Sequence, residues 1–282
     1  MNGLLVIDKP AGMTSRDVVN RAQLWFPKKT KVGHTGTLDP LASGVLVVCV
    51  GAATRLAEYV QAMGKTYRTR ILLGHRSDTD DADGTVTPVA GAAAVSEQAI
   101  RETLPRFVGT ISQTPPAYSA LKVAGQRAHD LARSGADVKL AARPVHVYRI
   151  DQLGYEWPHL DLEIDCGKGT YIRSIARDLG DSLGIGGLVQ TLRRTRVGPF
   201  TAEQGIGLNA ADVRDRLRPV AEAVGELPRV ELPEDLAVRF RQGQRVACAA
   251  ADVDTAAVFG GAELLGIGEV SGGRVKPKLV LN

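Results

Sequence analysis

Residues 32–48 read VGHTGTLDPLASGVLVV, and two textures meet inside that string. The first half carries the turn formers Gly33, Gly36, Asp39 and Pro40, with His34, Thr35, Thr37 and Ser43 as polar groups. The second half opens an apolar run, Val45 to Val50, rich in β-branched residues and of a length that suits a buried strand. A following proline pushes Asp39 out of helical geometry towards an extended or turn conformation. The string therefore predicts a polar loop presented beside a rigid strand, a common way to hold reacting groups. A turn capping a strand would account for the Asp-Pro dipeptide alone.

Working outward, Leu4 to Ile7 reads as a short strand entering a turn at Asp8-Lys9-Pro10-Ala11-Gly12. Thr14 or Ser15 is placed to cap a helix with Val18, Val19 and Ala22 on its inner side. A second helix is expected from Thr54, with Leu56, Ala57, Val60 and Met63 on one face. Lys65 to Leu73 reads as a strand, with Tyr67, Thr69 and Ile71 on one side. Thr66, Arg68 and Arg70 share the other side, a face expected to suit a polyanion. Asp78 to Gly84 is the densest acidic stretch, but Ala82 breaks the EF-hand register, so a solvated loop without metal is expected. Ser96 to Phe107 predicts a capped helix burying Ile100, Leu104 and Phe107. Two prolines forbid a helix within Thr114 to Gly125. Leu160 to Cys166 alternates apolar and acidic residues and predicts a half-buried strand. Ile172, Ile175, Ala176, Leu179 and Leu183 then mark a helix, which puts Tyr171 and Arg173 where strand meets helix. From about Pro228 the texture becomes short strands (Ala256 to Phe259, Leu264 to Val270, Lys278 to Leu281) between glycine-rich turns.

The bulk properties are those of a globular chain: 282 residues, 44% hydrophobic and 23% charged. A net charge of +4 permits an anionic partner without requiring one. Arg193, Arg194 and Arg196 cluster, as do Lys28, Lys29 and Lys31; taken alone, such triplets read as solvated faces. Cys49, Cys166 and Cys248 form no CxxC pair, so neither a disulfide framework nor a zinc site is indicated. Cys49 and Cys166 fall in apolar strand patterns and are expected in the core. Residues 1–20 lack the apolar centre of a signal peptide, and no 18-residue apolar run follows. A cytoplasmic protein is expected.

The string GHTGTLDPLASGVL resembles the signature of the TruB-type tRNA pseudouridine synthases. Gly3 to Ser15 is similar to that family's opening motif, and Lys65 to Leu73 to its tyrosine-bearing strand. Gly169 to Arg173 (GTYIR) is similar to its arginine motif, and Leu192-Arg193-Arg194 to its LRR segment. These matches occur in the family's order over about residues 3–200. The resemblance implies an α+β fold with a mixed, mainly antiparallel sheet flanked by helices. It implies a catalytic domain over residues 1–227, with an RNA-gripping insertion at about 109–143, and a small PUA-like β domain over 228–282. It makes Asp39 the nucleophile, with Tyr67 and Arg173 as further catalytic residues, and His34 the candidate for holding a flipped base. Lys9, Tyr171, Leu192, Tyr118, Lys122 and Arg127 are its candidates for contact with RNA, with Arg133 and Lys139 available for phosphates. The implied substrate is uridine 55 in the T stem-loop of tRNA, handled by a monomer without cofactor or metal.

The implied chemistry suits these residue types. Converting uridine to pseudouridine breaks the N1–C1′ bond, turns the base and joins C5 to C1′, with no net oxidation. It needs a strong nucleophile or base in a pocket that excludes water. A turn carboxylate qualifies if a cation such as Arg173 keeps it ionised. A target inside a folded loop must be flipped out, and an aromatic such as Tyr67 can replace the lost stacking. Two other classes compete. Gly205 to Ala210 formally spells GxGxxA, but it follows no clear strand and lacks a good acidic partner downstream. The second is an RNA-binding or tRNA-folding protein without turnover; joint retention of Asp39, Tyr67 and Arg173 argues against it.

Overall fold

Val45 to Val50 is apolar at every position because both faces of its strand are covered. The computed structural model describes residues 1–119, 121–123, 126–127, 140–211 and 213–281. In chain order its main strands are β1 (Gly3–Lys9), β2 (Val32–His34), β3 (Ser43–Val50), β4 (Lys65–Leu73) and β5 (Gly109–Gln113). They continue with β6 (Arg143–Glu156), β7 (His159–Cys166), β8 (Gly187–Val197) and β9 (Phe200–Thr201). These nine form one sheet in the order β1-β3-β8-β4-β7-β6-β5, with β2 paired to β3 and β9 to β8. Only β3 and β8 run parallel, with Arg193 opposite Ser43, so the sheet is mixed and mainly antiparallel.

On one face Leu5, Ile7, Leu46, Val48 and Ile71 pack under α1 (Ser15–Gln23) and α4 (Ile172–Ser182), through Val18, Val19, Ile175 and Leu179. On the other face Leu4, Val6, Val45, Val47 and Cys49 meet Leu56, Val60 and Met63 around α2 (Ala57–Ala62). Phe259 and Ile267 of the C-terminal sheet join this second cluster. Full burial of each such side chain contributes about 1.5–3 kcal/mol, so a doubly covered strand is a rigid base for the loop before it. Cys49 and Cys166 are core residues as expected, and burial pushes their thiols up to about 12 and about 11.

The C-terminal sheet has five strands, β10 (Arg229–Glu231), β11 (Val246–Ala247), β12 (Val253–Gly260), β13 (Glu263–Ser271) and β14 (Arg274–Val280), ordered β10-β12-β13-β14-β11. Its own core gathers Val230, Phe240, Leu265 and Val275. The architecture is α+β. Among the described residues, no helix is long and apolar enough to cross a membrane.

Four local expectations change. The helix expected from Thr54 opens as a 3-10 turn at Gly51–Leu56 before α2. Ser96 caps α3 (Glu97–Thr103), but Pro105 sends Leu104–Phe107 into a 3-10 turn. The C-terminal strands are longer than their apolar centres. Between them lies α5 (Glu234–Arg241), whose Glu234 and Asp235 at the start and Arg239 and Arg241 at the end complement the helix dipole.

The cationic face of β4 is also corrected. Arg68 pairs with Glu163 at 2.8 Å, and Arg70 makes two 2.8 Å bonds to Asp161. Thr66 donates to Asp165 at 2.6 Å, and Arg149 joins both Glu163 and Asp165. The acidic face of β7 lies in register beside β4, so this surface is a lattice of paired charges rather than a free cationic face.

Candidate active site

The loop from Thr35 to Ala42 is held from several directions. Thr35 bonds through its backbone and its hydroxyl to the Val47 carbonyl, at 3.0 and 3.2 Å. Thr14 caps α1 in a reciprocal box with Asp17, which leaves Ser15 free to face inward. The Ser15 hydroxyl donates to the Leu38 carbonyl at 3.0 Å and accepts from the Leu38 amide at 2.8 Å. The Gly12 amide donates to the Pro40 carbonyl at 2.8 Å, and the Ala42 amide to that of Asp39 at 3.1 Å. Asp39 is thus fixed between two clamped neighbours.

Lys9 belongs to this clamp. It is 0% exposed, and its ammonium donates to the carbonyls of Met13 (2.7 Å), Pro10 (2.9 Å) and Pro40 (3.3 Å). Burial lowers its pKa to about 8, with the Asp39 charge pulling the other way. A fully buried ammonium cannot touch RNA, so the expected RNA contact of Lys9 gives way to support of the loop. Arg194 performs a similar task. It is 3% exposed and donates to the carbonyls of Val45 (2.7 Å), Thr37 (3.4 Å) and Gly36 (3.4 Å). Gly44 lets β8 come this close: its φ is +102°, and a Cβ there would stand 2.1 Å from the Arg194 carbonyl oxygen.

Arg173, in the first turn of α4, places its Nε 3.0 Å from Asp39 Oδ2. This is an ion-pair contact without a directed hydrogen bond, because the Nε finds no well-aligned acceptor. The directed bonds run elsewhere, from Nη1 to the Thr79 carbonyl and from Nη2 to the Tyr118 carbonyl, each at 3.0 Å. Nη1 also lies 3.3 Å from Asp81 Oδ2. Arg173 is 5% exposed and Asp81 4%, so the guanidinium sits buried between two carboxylates.

Asp81 overturns the expectation of a solvated acidic loop. The Asp80 carbonyl and the Ala82 amide bond to Val189 on the edge of β8, which draws the turn inward. Thr79 donates its hydroxyl to Asp81 at 2.6 Å, and the Asp83 amide does so at 3.1 Å. Burial raises the Asp81 pKa, opposed by these bonds and by Arg173. Asp80 pairs with Arg177 at 2.7 Å. Among the described residues, no cluster of metal-ligating side chains occurs.

These groups border a cavity of about 510 Å³. Asp39, Tyr67, Tyr171, Arg173 and Leu192 all line it, so five of the expected site residues converge from four separate segments. Tyr67 is 8% exposed; burial pushes its phenol up, and the Arg194 cation beside it pulls down. Arg143 lies over the Tyr171 ring at 5.3 Å and also borders the cavity. His34 is not in the lining. It ends β2 beside Thr35, with its Nδ1 buried and unpaired and its pKa lowered by burial and by the nearby Arg16 and Arg194. Tyr118 is likewise outside the lining, and its carbonyl rather than its ring meets Arg173. Lys122 and Arg127 face each other in a two-residue strand pairing, and their side chains lie outside the described residues. Arg133 and Lys139 lie outside them altogether.

Three groups at the site were given no role from the sequence: Arg194, Asp81 and Lys65. Lys65 donates to the carbonyls of Gln61 (2.9 Å) and Met63 (2.6 Å) and lines the cavity. The arginine cluster was visible, but it is no solvated face. Arg193 forks onto Asp8 at 2.9 and 3.0 Å, Arg194 turns inward, and Arg196 bonds Thr66 Oγ1 at 3.0 Å.

A chain of an H/ACA ribonucleoprotein bound to a substrate RNA containing 2′-deoxyuridine is similar, with a TM-score of 0.76 at 26% identity, over 99% of this chain and 85% of that one. The fold is that of the pseudouridine synthases. Family models match along the sequence: "TruB family pseudouridylate synthase (N terminal domain)" over residues 24–172, "tRNA pseudouridylate synthase B C-terminal domain" over 173–238, and "Pseudouridine synthase II TruB, C-terminal" over 228–281. Similar relatives include the tRNA pseudouridine synthase B of Arthrobacter sp. (strain FB24), 43% identical over 99% of this chain and 96% of the relative. Another is that of Chelativorans sp. (strain BNC1), 42% identical over 99% and 96%. The chain belongs to the TruB family of pseudouridylate synthases and is a tRNA-modifying isomerase.

Proposed function

We propose that this enzyme isomerises uridine 55 in the T loop of tRNA, with Asp39 as the nucleophile on a flipped-out nucleotide. The observation that carries the reading is the Asp39–Arg173 contact of 3.0 Å at the wall of a cavity that Tyr67 and Leu192 also line. Arg173 sets a cation against the carboxylate, and the clamped loop fixes its direction, so little reorganisation is needed when a substrate arrives. Leu192 and the Tyr67 ring offer the flipped base an apolar surface in place of its lost neighbours. Because burial favours the neutral phenol, Tyr67 enters the reaction protonated. A neutral ring suits stacking against the base.

The minimal substrate in this reading is the T stem-loop, recognised by loop shape and splayed bases, and the enzyme acts as a monomer. The test is a tRNA transcript tritiated at uridine C5, from which isomerisation releases label. Wild type should release it stoichiometrically. Asp39→Asn keeps the shape and removes the charge, so it should bind tRNA and release almost none. An Asn variant with wild-type turnover would dismiss Asp39 as the nucleophile. Tight tRNA binding by a wild-type protein that releases nothing would favour an RNA-folding role.

A further inference from the structure

Tyr148 stands beside the cavity but outside its lining. On β6, Val147 lies opposite Cys166 and Arg149 opposite Asp165, so Tyr148 is the extra residue of a bulge. Bulges re-aim side chains, often next to active sites. Here the alternation breaks: Val147 is buried, and Tyr148 and Arg149 are both exposed. Tyr148 is 56% exposed, unusual for so large an aromatic. It rests against two glycines. A Cβ on Gly64 would lie 3.8 Å from the ring edge, and one on Gly167 would lie 3.3 Å from its hydroxyl. The His146 ring leans on it at 4.8 Å between centroids, tilted by 60°.

Each of those glycines precedes a lysine that borders the cavity, Lys65 and Lys168. The two ammonium groups are near enough for Lys168 to help lower the Lys65 pKa, which burial has already brought to about 8. Among the described residues no carboxylate pairs with either lysine or with Arg143, although backbone carbonyls hold the Lys65 ammonium (Gln61 and Met63) and the Arg143 guanidinium (Gly169). On the β4–β7 face, by contrast, the arginines are matched with carboxylates. Cations with no carboxylate against them, beside an exposed ring, are the combination that binds an unpaired nucleic-acid strand.

We propose that Tyr148 is a stacking platform for an unpaired base next to the flipped nucleotide, with Lys65 and Lys168 taking the phosphate between the two. The proposal rests on the reading that the cavity accepts a flipped nucleotide. The bulge turns the ring towards the strand, the glycines let that strand approach, and the lysines supply the charge.

The test uses the full-length enzyme and T stem-loop RNAs carrying 2-aminopurine at each unpaired position flanking the target. Tyr148→Leu keeps apolar bulk without an aromatic face, and Tyr148→Phe keeps the face. Leu should raise Kd and KM roughly tenfold, as loss of one stacked base does, while Phe stays near wild type. The loss should fall on KM rather than kcat, since it is made before the chemical step. One 2-aminopurine position should be quenched by wild type and Phe and not by Leu. Lys65→Gln and Lys168→Gln should each lower the salt slope of binding by about 1. Thermal melts of all variants establish folding. A folded Leu variant that binds and quenches like wild type overturns the platform, as does a ring that matters only for capture of a protein. If wild type itself releases no tritium from tRNA, the reading of the cavity has failed; if wild type turns over and Leu equals it, the platform alone has failed.

Discussion

Replacing Arg173 with Met would leave two carboxylates facing each other across the space the guanidinium now fills. Asp39 keeps some access to water, its side chain being 31% exposed, but that of Asp81 is only 6% exposed. Removing one partner of a buried ion pair costs about 3–5 kcal/mol, because the remaining charge stays desolvated. For a chain of this size that corresponds to a melting temperature roughly 6–15 °C lower. The deficit should depend on pH. Burial already holds the Asp81 pKa above its ordinary value, so the folded state binds that proton more tightly than the unfolded chain. The contribution to stability is full below the ordinary carboxylate pKa and is lost as pH rises through the folded value. Without Arg173 the shift grows, and the gap between variant and wild type should narrow on going from about pH 8 to about pH 5. Asp81→Asn in the Met background removes the orphaned charge and should restore most of the melting temperature but no turnover. Arg173→Lys keeps the charge, loses the fork, and should retain some of both. Melts across that pH range, paired with tritium release, decide the matter. A Met variant as stable and active as wild type, or no recovery on adding Asp81→Asn, would refute the shared-cation arrangement.

Two further outcomes follow from the clamps on the loop. Lys9→Met should be compared with wild type by urea unfolding over about pH 7.5–10.5. The folded Lys9 pKa, about 8, lies below the unfolded value of 10.5, so its contribution to stability is present above 10.5 and is lost as pH falls through 8. The difference curve should rise by roughly 3 kcal/mol across that window, and a flat difference would mean that Lys9 is charged at no cost. Arg194→Met should free the carbonyls of Gly36, Thr37 and Val45 and lower kcat on the order of a hundredfold, because small misplacements of a reacting group are expensive. Arg194→Lys should rescue little, since Nε, Nη1 and Nη2 of the guanidinium reach the three carbonyls separately and lysine has no such fork; a kcat within about twofold of wild type for Met would show the loop holding itself.

Much of the scaffold could be read from the chain. The alternation in Leu160 to Cys166 gave its strand, and Lys65 to Leu73 runs over the residues expected of it, because half-buried strands imprint a period of two. The loop around Asp39 and the junction at Arg173 were visible for a different reason: turn formers and a strand-to-helix change mark them locally. What stayed hidden depended on contacts between distant segments. Nothing in DTDDADG says that its third aspartate will be drawn under α4, since that follows from the turn docking on Val189. Arg193, Arg194 and Arg196 look alike in sequence. A register shift between β8 and β4 at Arg194/Arg196, together with the parallel pairing to β3, sends each to a different partner. α5 was missed because its eight residues are too few to establish a helical period.

The segment that follows β5 is stapled to the helix that carries Arg173. Gln113 exchanges side-chain bonds with the backbone of Tyr171 at 2.8 and 3.1 Å, Ser174 and Arg177 both donate to the Thr114 carbonyl at 2.8 Å, and Arg173 itself holds the Tyr118 carbonyl. The root of the stretch expected to grip RNA and the cation beside Asp39 are therefore one mechanical unit. Linkage then works in both directions. A grip that orders residues 113–118 also orders the guanidinium, and a charge change at Asp39 alters how firmly the grip is seated. Anything that pulls residues 113–118 away from α4 would loosen the guanidinium beside Asp39 through the same bonds.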